Sequence, residues 1–243
     1  MSTRSIRLAP LALIVVAAVG RSASAETPSP GDPDARAIFD RVQKTYAEAR
    51  TYQDEGVVQI TYTLSDGTAL STTKVFSTAF TRPERFRYMC QGDRRQRSER
   101  YVIWRDGAEI GHWSSRRPVF KSDDSFNDAV TFAVRPAVAD PASYTVASLL
   151  VPAEVRGYGV DTTTELKRLD DEALDGDPCF RIEGETDDVD RILWIAQSSH
   201  LIRRIEERSH TSTTEIERIT TYHPVLDAAV KEANLELPAF VAK

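Results

Sequence analysis

The sequence is poor in the residues that most often carry chemistry: two cysteines and four histidines among 243 residues. None of His112, His200, His210 and His223 stands at H-x-x-x-H or H-x-H spacing, so no metal site sits on a single element. There is no G-x-S-x-G elbow, no P-loop and no dinucleotide fingerprint. The acidic stretch Asp187, Asp188, Asp190 lacks the glycine and distal glutamate of an EF-hand and reads as a solvated turn. Asp170-Asp171 sits in the polar connection "LDDEALDGDP". A Ser-His-Asp set can assemble from any chain order, but nothing local supports one. The expectation is a protein that is not an enzyme, with no metal and no cofactor.

A membrane-length apolar run is also missing. Leu8 to Val19, interrupted by Pro10, is about a dozen residues against the roughly 20 a bilayer span needs. Arg4 and Arg7 precede it, and "RSASAE" follows, with Ala23 and Ala25 at the small positions of a cleavage site. That order reads as a signal peptide over residues 1–25, followed by a flexible tether, "ETPSPGDPD", over 26–34. Removing 1–25 lowers Lys plus Arg from 31 to 28 against 37 acidic residues, so net charge moves from −6 to −9. A surface this acidic excludes nucleic acid as partner. The basic clusters, such as Arg94, Arg95, Arg97 and Arg100, read as charged turns and strand edges.

The patterning that is present changes period twice. Asp32-Pro33 reads as a helix N-cap and first-turn proline. Ala35, Ile38, Phe39, Val42, Tyr46 and Ala49 then recur at helical spacing, which predicts a helix over 33–50. From Tyr52 the period is two: Val58, Ile60 and Tyr62 share a face, "SDGT" turns, and Leu70, Phe76 and Phe80 return. Arg82-Pro83 breaks that strand. Phe86, Tyr88 and Cys90 alternate next, then "RYVIW" and "IGHW" follow. Residues 122–156 lose the alternation. Phe126, Val130, Ala133 and Val134 suit one short helix ended by Pro136; Ala142, Val146, Leu149 and Leu150 suit a second ending near Pro152. Strand patterning resumes at 162–169, 179–185, 191–196, 201–209 and 212–222, and a helix over "LDAAVKEA" closes the chain.

These elements predict an α+β fold: a strongly curved antiparallel sheet, an unclosed barrel of about ten strands, with helical lids. Residues 35–243 form a single domain, with the helical insert at 122–156. The concave face is expected to carry Ile60, Tyr62, Leu70, Phe76, Phe80, Phe86, Tyr88, Trp104 and Trp194. In the hairpin "RILWIAQSSHLIRRIEE" (191–207), the parity of Ile192 and Trp194 is expected to face inward. The lid residues are Ile38, Phe39, Val42, Tyr46, Phe126, Val130, Val146, Leu149 and Leu150. Two outcomes stay open: lids and face fill each other as ordinary core, or an apolar ligand displaces the lids. Cys90 and Cys179 are either a disulfide, in an oxidising compartment, or two buried thiols.

The phrases "FSTAFTRPERFRY", "DGDPCFRIEG", "RILWIAQSSHLIRRIEE" and "TTYHP" resemble those of LolA-like exported proteins, as does the order helix, meander, helical interruption, meander. The likeness spans most of residues 35–225. It implies a periplasmic half-barrel whose lid encloses acyl chains, acting as carrier or sensor. The partner it implies is a lipid acyl chain or lipoprotein, with a membrane-bound donor or acceptor, bound by a monomer. The alternative is a non-catalytic envelope interaction module whose face its own lid helices fill. The carriers' internal arginine has no assigned counterpart, though Arg85 and Arg87 lie in the corresponding region.

Overall fold

The computed structural model describes residues 33–92, 99–132, 142–157, 159–186 and 189–241. The expected signal peptide and most of the expected tether lie outside the described residues, as do Ala133, Val134, Pro136 and the Asp187-Asp188 pair. Helix α1 (Ala35–Glu48) turns Ala35, Ile38, Phe39, Val42 and Tyr46 inward. Its N-cap is Asp34, not Asp32: the Asp34 carboxylate accepts a 2.7 Å bond from the Ala37 N–H, satisfying one of the donors a helix start leaves free.

Six strands follow: β1 (Thr51–Leu64), β2 (Ala69–Thr81), β3 (Arg85–Gly92), β4 (Arg100–Asp106), β5 (Glu109–Ser114) and β6 (Arg117–Ser122). The insert holds α2 (Phe126–Thr131) and α3 (Ala142–Leu150). Then come β7 (Thr164–Leu174), β8 (Asp177–Thr186), β9 (Val189–Ala196), β10 (Ile202–His210), β11 (Thr214–Tyr222) and the two-residue β12 (Val225–Leu226). All pair antiparallel in one sheet of order β6-β5-β4-β3-β2-β1-β11-β10-β9-β8-β7, with β12 beside β1. The expected ten strands become twelve because β6 and β12 carry little alternation. The expected C-terminal helix is only a 3-10 turn at Glu232–Asn234.

The path ends at β6 and β7, which do not pair, so the barrel is unclosed. The helices occupy its inside: α1 touches β7, α2 touches β4 and β5, and α3 touches both helices. A sheet whose two flanks both reach one helix layer must bend around it. One face of β1–β5 and β8–β11, together with α1–α3, forms the main apolar core. Two smaller clusters lie on the outer face.

Cys90 and Cys179 are both buried and are not joined in a disulfide. Cys90 on β3 sits in the main core and Cys179 on β8 in an outer cluster, six strand steps apart along the sheet. Opposite faces and that separation keep their sulfurs far beyond bonding reach.

Candidate functional site

Strand register sorts the inner face into rows. One runs Lys74, Val58, Thr220, Ile205, Leu193 and Ile182 across β2, β1, β11, β10, β9 and β8. The next runs Thr72, Ile60, Arg218, Glu207 and Arg191. The last, near the tip of the β1–β2 hairpin, runs Leu70, Tyr62, Ile216, Ser209 and Val189. Phe76, Phe80, Phe86 and Tyr88 hold the opposite end, where the helices lie. Phe86 meets Phe126 of α2 edge-on, ring centroids 5.0 Å apart, a favoured aromatic geometry.

All nine expected lid side chains are in the main core with Ile60, Phe76, Phe86 and Tyr88, each at most 4% exposed. Tyr62 packs against that core from its margin. Leu70, opposite Tyr62, is 55% exposed at the rim. Trp104 and Trp194 are on the other face. On β4, Tyr101 and Ile103 point inward while Val102 and Trp104 join Trp113 and Val241 outside. The Trp104 indole N–H donates 2.8 Å to the Leu235 carbonyl of the C-terminal segment, which covers it. On β9, Leu193 and Ile195 are the inward pair; Trp194 lies outside between the guanidinium groups of Arg181 and Arg204, 4.6 and 5.3 Å from its ring centroid. The parity expected for the 191–207 hairpin is therefore reversed.

The residue that the sequence reading passed over is Arg82, at the β2–β3 turn. Its Nε donates to the Ala49 carbonyl (2.7 Å), and one Nη donates to the carbonyls of Ala47 (2.6 Å) and Leu150 (2.8 Å). Those oxygens end α1 and α3, where carbonyls lack helical partners and the helix dipole favours a cation. One guanidinium thus fastens both helices to the sheet. Next to a proline, Arg82 read as a strand stop, and no periodicity marks a side chain that points at carbonyls. Arg85 and Arg87 face outward instead. Arg85 pairs with Glu232 (2.6 Å) and Asp106 (3.3 Å), and Arg87 donates to the carbonyls of Ala233 and Glu236. They strap down the C-terminal segment.

Two buried polar networks border the apolar wall. Asp54 accepts from the Tyr52 hydroxyl (2.8 Å) and the His223 N–H (2.7 Å). Burial pushes its carboxyl up to about 7, despite those bonds favouring the charged form. Tyr52 leans on Tyr46 of α1, ring centroids 5.7 Å apart, and the Tyr46 hydroxyl accepts from the Ile202 N–H at 3.1 Å. Burial raises both phenols. At the far end, Glu207 receives Arg191 (2.7 Å) and Arg218 (3.0 Å). Burial would raise its carboxyl, but the two cations hold it below the ordinary range. On the outer face, a groove of about 480 Å³ has a mixed lining, with Gln53, Glu55, Ser77 and Arg87 beside Ala79, Met89 and Val225.

A family described as "Predicted periplasmic protein (DUF2092)" matches residues 35–222. No curated protein matches the chain. Similar solved structures include LprF from Mycobacterium bovis, at 11% identity and TM-score 0.45 over 84% of this chain and 97% of that one. The Mycobacterium tuberculosis lipoprotein LppX stands at 15% identity and TM-score 0.42, over 81% and 98%. A LolA superfamily protein from Nitrosomonas europaea stands at 12% identity and TM-score 0.33, over 85% and 99%.

Proposed function

The chain belongs to the family of predicted periplasmic proteins DUF2092, and on that premise we propose that it is a lid-closed carrier or sensor for an acyl chain or lipidated protein. In this reading residues 1–25 are the cleaved export signal, and residues 35–243 work as one monomeric, non-catalytic unit. The observation that carries it is the closure itself: an apolar wall is covered by helices that end on one guanidinium at a turn.

The energetics favour such an arrangement. Burying an acyl chain gains about 0.8 kcal/mol per methylene, so roughly 14 carbons gain on the order of 10 kcal/mol. A carrier must release its cargo, and lids that give up their own contacts to admit the chain offset part of that gain. Ile60, Phe76, Phe86 and Tyr88 would touch the chain. Ile38, Phe39, Val42, Tyr46, Phe126, Val130, Val146, Leu149 and Leu150 would compete with it for the same surface.

The completeness of the lid burial favours one second reading, an interaction module whose inner face is never vacated. Native mass spectrometry of detergent-free protein, with titration of a fluorescent fatty acid, separates the two. The carrier reading expects co-purified lipid and saturable binding. It also expects Tyr88→Ser on the wall to weaken binding about tenfold or more, while Val146→Ser on the lid lowers stability by about 1–3 kcal/mol and weakens binding less. A wild type that binds nothing leaves the module reading standing.

A further inference from the structure

The ionic row on the inner face is not evenly satisfied. Arg191 is fully engaged: Nε and Nη2 reach Glu207 (3.0 and 2.7 Å), and Nη1 reaches the Gly159 carbonyl and the hydroxyls of Thr163 and Thr186. Arg218 donates from Nη1 to the second Glu207 oxygen at 3.0 Å. Its Nε is buried with no partner among the described residues. A guanidinium carries five donor hydrogens, so Arg218 has donors to spare.

Its surroundings give that surplus a direction. Arg218 lies directly opposite Ile60 on β1, between the lid-covered core and the rim of Tyr62, Ile216 and exposed Leu70. Lys74 is on the same face, in the neighbouring row opposite Val58. In the ionic row itself Arg191 and Arg218 stand against Glu207, two cations to one anion, in a chain whose formal charge is −6. The Arg218 side chain is 19% exposed, and a largely desolvated cation with an unused donor is stabilised by an anion that reaches it.

We propose that Arg218 receives the anionic head of a single-chain amphiphile, a carboxylate or a phosphate monoester. The chain then lies from Tyr62 and Ile60 toward Phe76, under the lids. The proposal rests on the acyl-binding reading above and adds the class of head group. It is a salt- and charge-dependent preference, because a charged hydrogen bond in a dry setting is stronger than one between neutral groups.

The test is competition against a fluorescent fatty acid on the wild-type chain, using palmitate, hexadecyl phosphate, hexadecanol and inorganic phosphate. Palmitate and hexadecyl phosphate are expected to bind about tenfold or more tightly than hexadecanol, and inorganic phosphate is not expected to displace the probe. Arg218→Gln should erase the difference between acid and alcohol, and Arg218→Lys should restore part of it. Equal affinities for acid and alcohol in the wild type overturn the anion site while leaving the acyl reading intact. Displacement by inorganic phosphate alone assigns the cation to a free anion and overturns the amphiphile. Failure of all three chains to bind overturns the acyl reading itself. The comparison of heads needs no variant, so a destabilised Arg218→Gln does not blunt it.

Discussion

Asp54 is where a single side chain sets a measurable property of the fold. Its folded value of about 7 stands above the ordinary 3.8. Between those limits the folded chain holds a proton that the unfolded chain has released. The stability it contributes is therefore full in acid and is lost as pH climbs through about 7. Asp54→Asn removes that dependence while keeping a side chain able to accept from Tyr52 or His223. The variant should gain on the wild type between pH 5 and pH 8 in thermal unfolding, each unit of raised pKa being worth about 1.4 kcal/mol. A difference that stays constant with pH would overturn the assignment. Trp194 makes a second prediction at this scale. It is 5% exposed but faces away from the wall, so Trp194→Ala should cost about 3–5 kcal/mol and leave fatty-acid affinity unchanged. Parity was not legible at Trp194 or Trp104 because both faces are covered there. Leu193 and Ile195 alternate with Ile192 and Trp194, all apolar, so alternation carries no sign. Where only one face is buried, as at Val58 and Ile60 against Gln59, the inward side was plain.

Among elements, β1 and β2 show how closely the wall is fitted. A Cβ on Gly56 would stand 2.2 Å from the Phe76 ring and 2.4 Å from the Thr221 carbonyl oxygen. The ring lies across the glycine, and the oxygen is backbone that cannot give way. Gly56→Ala should therefore destabilise by about 2 kcal/mol or more, read as a lowered denaturant midpoint with unchanged slope. Helix α1 and the hairpins were legible because their periods are long and clean. The lid's fastening was not: Arg82 acts through carbonyls contributed by residues far away in sequence. The same holds for the thiols, open between a bridge and two buried thiols until topology set them on opposite faces. Replacing Arg82 with Ala should raise amide exchange in 35–48 and 142–150 while sparing β9 and β10. Exchange that rises uniformly would show the contact to be merely one among many.

The whole molecule is a bent sheet wrapped round its helices, strapped outside by the segment after β12. The strap explains why a strand as apolar as β4 does not leave a sticky outer surface: Trp104, Trp113 and Val241 close over one another. The curvature was legible from strand number alone; which face each aromatic served was not. Arg82 has a further consequence at this scale. Two helices that could each be docked or undocked make four arrangements. Because one guanidinium serves both, an arrangement with one helix gone leaves the cation short of acceptors, and the mixed arrangements are disfavoured. In the proposed carrier the molecule is then expected to behave as a two-position switch, with a ligand response that is cooperative between α1 and α3. Loosening α1 through Val42→Ala and α3 through Leu149→Ala should thus give binding effects that do not add, with a coupling of about 0.5–3 kcal/mol that vanishes when Arg82 is absent.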